Sequence, residues 1–146
     1  VQYLESAMRI HRMQPEYNLA MGECLLELGN IKDAIIHFSN VVKAKPRGIA
    51  GWEALIRCLY KEDFLTEAIE QVNNARQIAG DKPLFLFYQS AVLFAMGKSK
   101  EALLVLQCAM ERAPRLLKKF IELNPTILQN QQVVDLIAYY KRKRSI

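Results

Sequence analysis

Few side chains in this 146-residue chain could do chemistry. His11 and His37 are its two histidines, and Cys24, Cys58 and Cys108 are its three cysteines. His37 stands four residues after Asp33, a spacing that puts both on one face of a helix. Such a pair could begin a metal site or orient a general base. A metal would need further ligands, and a base needs a substrate proton within hydrogen-bond reach. The neighbourhood supplies neither, so the expectation is a structural histidine, no metal and no cofactor. The chain has no phosphate-binding glycine loop, nucleophile elbow, zinc-protease helix or dinucleotide fingerprint. It reads as non-enzymatic, with no small-molecule substrate.

The cysteines are odd in number and none lies in a CxxC pair, which speaks against a disulfide framework or a zinc site. Cys24 and Cys58 are expected in a small, buried, apolar column, where a free cysteine behaves as a hydrophobe. Cys108, beside Ala109 and Met110, reads the same way. Three free thiols fit a reducing compartment, so the expected location is cytoplasmic. The chain starts at Val1, shows no charged-then-apolar secretory segment, and reads as a fragment. Its longest uncharged run, 83–97, is shorter than the roughly 20 apolar residues of a membrane-spanning helix.

The run Lys141-Arg142-Lys143-Arg144 supplies most of the formal net charge of +5. Such a run can bind nucleic acid or an anionic membrane. It also suits a solvated helix C-terminus, where cations face the negative end of the macrodipole. The nearly neutral remainder argues against nucleic acid. A nucleic-acid or anionic-membrane adaptor working through the tail is the alternative reading.

The elements that position these groups are legible as a repeat, at a register of 34. Ala34, Ala68 and Ala102 share a column, as do Gly29, Asp63 and Gly97, and Leu25, Leu59 and Leu93. Asp33, Glu67 and Glu101 precede the alanines, and Phe38, Val72 and Leu106 follow in an apolar column. Each unit reads as two helices. Leu19, Gly22, Leu25 and Leu26 recur at helical spacing, as do Trp52, Leu55 and Leu59. Breaks fall at Gly29-Asn30, Glu62-Asp63 and Gly97-Lys98, where Gly, Asn or Asp accept the left-handed conformation that ends a helix. Asn30 with Asp33 three residues on looks like a cap for the next helix. Pro46, Gly80 and Pro114 close the second helices. Helices are predicted near 3–15, 16–28, 31–45, 49–61, 65–79, 83–96, 99–113, 115–122 and 125–142. Gly22 and the alanine column would let paired helices approach closely. Stacked hairpins would then bury a continuous core that one hairpin cannot.

This spacing resembles the tetratricopeptide repeat, a 34-residue helix–turn–helix with the pattern Trp-x2-Leu-Gly-x2-Tyr, Ala-x3-Phe and Pro. Residues 15–48 supply Gly22, Leu25, Ala34, Phe38 and Pro46. Residues 49–82 supply Trp52, Leu55, Leu59 and Ala68, and residues 83–116 supply Leu93, Ala102 and Pro114. Asn18 and Leu86 depart from the Trp column, Ile56 and Ser90 from the Gly column, and Gly80 from the Pro column. The resemblance implies an all-α right-handed solenoid of antiparallel helix pairs, the tetratricopeptide superhelix. Residues 1–14 would be the second helix of a truncated upstream repeat, and 117–146 a C-terminal cap with the basic tail. The segment Leu123-Asn124-Pro125 followed by Val134-Asp135-Leu136-Ile137 resembles the closing segment of some bacterial members. Pentatricopeptide arrays, which read RNA bases, have a longer period than 34.

In the resembled family the first helix of each hairpin lines a concave groove that binds a peptide or protein segment. The matching candidates are Leu19, Glu23, Glu53, Arg57, Tyr60, Leu84, Phe87 and Phe94, giving a non-catalytic interaction scaffold. Leu84, Phe87 and Phe94 have two possible fates: an open apolar-aromatic surface, or a face covered by 115–142. Members that clamp chaperone C-termini use Lys, Asn and Arg at positions held here by Leu19, Glu23, Ala54, Leu84 and Tyr88, so that activity does not carry over. The apolar residues Tyr3, Leu4, Ala7, Met8 and Ile10 would lack their partner helix, so a dimer through that truncated helix is expected.

Overall fold

The computed structural model of the chain describes residues 14–144. The expected helix at 3–15, the truncated upstream repeat, the dimer through it and His11 lie wholly or almost wholly outside those residues. The described part is all-α, with no strand among its residues. It forms two compact units that divide after Gly80.

The first unit contains α1 (Pro15–Glu27), α2 (Ile31–Ala44), α3 (Ile49–Lys61) and α4 (Leu65–Ile78). Helices α1 and α2 form a hairpin, and α3 packs against both α2 and α4. The second unit contains α5 (Pro83–Ala95), α6 (Ser99–Arg112), a 3-10 turn (Pro114–Leu116), α7 (Leu117–Leu123), a second 3-10 segment (Pro125–Gln129) and α8 (Gln131–Arg144). Here α5 pairs with α6, α7 packs on α5, and α8 packs on α6. Pro15 and Pro83 occupy first-turn positions of α1 and α5, where a missing N–H costs nothing.

The three hairpin turns share one geometry. Gly29, Asp63 and Gly97 have φ of 80°, 64° and 81°, the left-handed region. Their amides donate to Leu26, Tyr60 and Phe94 at 3.0–3.1 Å. The next amides, of Asn30, Phe64 and Lys98, reach back to the carbonyls of Leu25, Leu59 and Leu93 at 2.8–2.9 Å. This is the Schellman closure, and it satisfies the orphan carbonyls at each helix end. Asp63 is the one non-glycine in this conformation among the described residues. Asp tolerates it better than most residues do.

The alanine column is fully buried: Ala34, Ala68 and Ala102 are each 0% exposed. Ser90, buried on α5, donates from Oγ to the carbonyl of Ala102 at 2.8 Å, so a polar side chain enters this close contact already satisfied. Small side chains are needed elsewhere too. A Cβ on Gly51 of α3 would lie 2.9 Å from Val41 Cγ1 and 3.2 Å from the Val42 amide nitrogen on α2. Trp52 is buried, and its Nε1 donates to the carbonyl of Pro46 at 2.7 Å, tying α3 to the turn that precedes it. Replacing Ala34, Ala68 or Ala102 by Leu is expected to overpack the core and cost about 1–3 kcal/mol each. Urea midpoints that stay unchanged for all three would contradict this packing.

Three local expectations are corrected. Residues 125–142 do not form one helix. Asn124 Oδ1 accepts from the Thr126 amide at 3.2 Å and starts only a 3-10 segment. Asn130 Oδ1 then accepts from the amides of Gln132 at 3.0 Å and Val133 at 3.3 Å, an N-cap that opens α8. The expected helix 115–122 divides into the 3-10 turn and α7. Asn30 makes no side-chain cap. Its Nδ2 donates to Asp33 Oδ2 at 2.8 Å, so the two side chains bond each other instead of the backbone.

Candidate peptide-binding groove

Helices α1 and α3, the first helices of the hairpins in the first unit, are neighbours. They line a groove of about 440 Å³. Leu19, Leu26, Ala50 and Ala54 give it apolar walls, and the buried ring of Phe38 reaches it from α2. Its charged lining is Glu23, Glu27, Glu53, Arg57, Lys61 and Glu62. The groove follows from helix geometry, since 19, 23, 26 and 27 share one face of α1, and 50, 53, 54, 57 and 61 share one face of α3.

Four sequence candidates therefore come together here: Leu19, Glu23, Glu53 and Arg57. Tyr60 is half-buried and outside the lining. The remaining three belong to the second unit and are not an open surface. Leu84 and Phe87 are buried, at 7% and 0% exposure, and Phe94 is half-buried. The Phe120 ring of α7 lies 6.2 Å from that of Phe87 and 6.4 Å from that of Phe94. Phe87 and Phe94 thus meet α7, part of the segment expected to cover this face. Aromatic rings on an otherwise uncovered helix gain area burial and ring contacts by accepting α7. Leu26, Glu27, Ala50 and Lys61 share those inner faces by helical spacing and also line the groove. Cys58, Glu62 and Phe38 were not expected there, and Ala54 counted only as a departure from the chaperone-clamp pattern. Helical spacing from Ala50 could have found Ala54, but Phe38 reaches the groove from another helix and leaves no spacing signal.

His37 bonds across the first hairpin, from α2 to α1. Its Nδ1 lies 2.8 Å from Asn18 Oδ1, and the buried Asn18 also donates from Nδ2 to the carbonyl of Gln14 at 3.1 Å. Among the described residues no cluster of metal-ligating side chains occurs.

The cysteines divide differently from expectation. Cys58 is buried, but Cys24 and Cys108 are exposed. The shared column of Cys24 and Cys58 thus faces solvent in the first hairpin and core in the second. Burial, with a lesser contribution from the Glu62 carboxylate, pushes the Cys58 thiol up to about 11. Because the thiolate is the nucleophile, Cys24 and Cys108 should alkylate quickly at pH 8 and Cys58 only on unfolding. The raised value also has a stability sign. Below about pH 9 the thiol is protonated folded or unfolded. As pH rises from 9 through 11 the unfolded form ionises first, so stability falls. Three equally fast iodoacetamide adducts in the native protein would contradict this.

At the C-terminal end, Tyr140 is buried and donates from its hydroxyl to Glu111 Oε1 at 2.7 Å. Burial first, and then this carboxylate, push its pKa up to about 12. Lys143 Nζ lies 3.7 Å from Glu111 Oε1 and 5.9 Å from the Tyr140 ring centroid. Part of the basic run thus fastens α8 onto α6. Lys141, Arg142 and Lys143 are exposed. No helix among the described residues is long and apolar enough to cross a membrane.

Consecutive helical hairpins closed by identical turns, with a groove between first helices, define a helical-repeat protein and fit a tetratricopeptide-like class. No family model matches the chain. It is similar to anaphase-promoting complex subunit 7 of Homo sapiens, 24% identical over 133 residues, which cover 90% of this chain and 24% of the relative. The subunit 7 of Mus musculus matches with the same identity and coverage. The chain therefore spans about a quarter of the length of these curated relatives. Both are mammalian, and they add nothing to the bacterial likeness of the closing segment.

Proposed function

We propose that the chain is a non-catalytic protein-interaction scaffold that holds a peptide or protein segment in the α1–α3 groove. In this reading 15–48, 49–82 and 83–116 are its repeats, 117–146 is a closing cap, and the cytoplasm is its compartment, since two exposed thiols suit a reducing milieu. The observation that carries the proposal is the groove itself: apolar walls that can take a side chain, bordered by charges that can orient a backbone. The distant similarity to a named subunit of a multiprotein complex supports an interaction role in general.

The test is selection of phage-displayed random dodecamers on the full chain, followed by titration of the recovered peptides. Ala54→Phe, placed on the groove wall, should abolish their binding. Ala50→Trp, at an exposed wall position, repeats the test where overpacking is no concern. Peptides indifferent to both variants, or no peptides at all, would remove the groove from consideration.

The tail favours a second reading because Lys141, Arg142 and Lys143 are exposed together. An adaptor of this kind binds RNA or anionic vesicles with an affinity that falls steeply with salt. Absence of binding at 150 mM salt would eliminate it.

A further inference from the structure

We infer that the α1–α3 groove takes a segment in which a bulky apolar side chain is flanked by lysine or arginine. This rests on the groove reading above and adds the chemistry of the ligand.

Two features select it. The apolar lining has Leu19 and Leu26 from α1, the small Ala50 and Ala54 from α3, and the Phe38 ring from α2. A large ligand side chain fits there better than a small one, because it fills space that the alanines leave. The second feature is charge. Four carboxylates and two cations line the groove, an excess of negative charge. The formal +5 of the whole chain comes mostly from the basic run 141–144, and the remainder is nearly neutral. The lining therefore favours a cationic ligand over an anionic one.

The excess is concentrated on α1, which adds Glu23 and Glu27 to the lining and no cation. Arg57 follows Glu53 by one turn on α3, the spacing at which opposite charges offset each other. Glu23 and Glu27 are also one turn apart, but carry like charge, and both are exposed. Among the described residues no cation pairs with either. Two carboxylates at this spacing repel each other along the helix. A ligand ammonium or guanidinium placed between them would relieve that repulsion, while an acidic ligand would add to it. A guanidinium could also bond one carboxylate through both oxygens.

The experiment uses the dodecamers recovered on the full chain. Their consensus should place Lys or Arg within two residues of Leu, Ile, Met, Phe or Trp. Glu23→Gln with Glu27→Gln, which keeps shape and helix propensity, should weaken these peptides at least tenfold. Raising salt from 50 to 500 mM should weaken them on the unaltered chain and much less on the double variant. Circular dichroism confirms that the variant remains helical. Glu67→Gln with Glu70→Gln, on α4 and away from the groove lining, controls for net charge and should leave affinity unchanged. Peptides that Ala54→Phe abolishes but the glutamine pair leaves untouched would overturn the charge inference and leave the groove reading standing. An acidic or uncharged consensus would do the same. Peptides indifferent to Ala54→Phe and Ala50→Trp, or no peptides at all, would overturn both.

Discussion

Replacing Phe120 by alanine is expected to lower the stability of the second unit by about 3–5 kcal/mol, a large part of the roughly 5–15 kcal/mol that holds a domain folded. Phe120 is 1% exposed and anchors a helix of only seven residues. A helix that short has little stability of its own, so α7 is held by what its side chains bury. Its ring lies against Phe87 and Phe94, and truncation leaves a cavity between two helices besides losing the ring contacts. The rings of α5 should then become accessible. The variant should bind an apolar dye and show a lower urea midpoint, while Phe120→Leu, which keeps most of the volume, should lose less than about 1.5 kcal/mol. A Phe120→Ala protein that melts like the parent and binds no dye would mean that α7 does not cover this face.

The composition of α5 contained a signal for its covered face that spacing could not express. The sequence Pro83–Ala95 is apolar on nearly every side, and a helix apolar all round is a buried helix. Periodicity reports a helix's direction only when it has a polar side to contrast with the apolar one. Helix α3 has that contrast and α1 has little of it, so it is the repeat resemblance that places Leu19, Glu23, Glu53 and Arg57 on a common face, and they do line one groove. The hairpin turns were legible for a different reason. Gly29, Asp63 and Gly97 are residue types selected by a backbone conformation, which depends on nothing distant. The break between the second 3-10 segment and α8 was less visible. Asn124-Pro125 is a strong helix start, but Asn130 provides a second one six residues on, and tertiary packing decides between them. Cys24 and Cys58 share a repeat column, yet one is exposed and the other buried. A column fixes the position on the helix, while burial depends on which neighbours surround that hairpin.

The column of Gly22, Ile56 and Ser90 shows the same dependence at the level of packing, and it leads to the second large expected effect. Gly22 is buried on α1 beneath Phe38 of α2. An added Cβ would overlap the ring, with Cδ1 and Cζ both at 2.8 Å and Cε1 closer still. The same register puts the smaller Val72 and Leu106 opposite the larger Ile56 and Ser90, so each hairpin divides the available volume in its own way. Gly22→Ala would gain about 1 kcal/mol of helix propensity. Phe38 is 1% exposed and cannot swing into solvent, so overpacking of about 1–3 kcal/mol should prevail. Phe38→Ala alone should cost about 3–5 kcal/mol through its cavity. Combining Gly22→Leu with Phe38→Ala moves volume from one helix to the other. The pair should therefore cost less than the sum of the single changes, with a coupling of about 0.5–3 kcal/mol. Urea denaturation of the four proteins measures it. Additive costs would mean that Phe38 does not rest on Gly22. Because Phe38 also lines the groove, Phe38→Ala should weaken the recovered dodecamers under conditions where the variant remains folded. In that variant the same ring that sets the spacing of the first hairpin would be missing from the surface that the ligand's apolar side chain must meet.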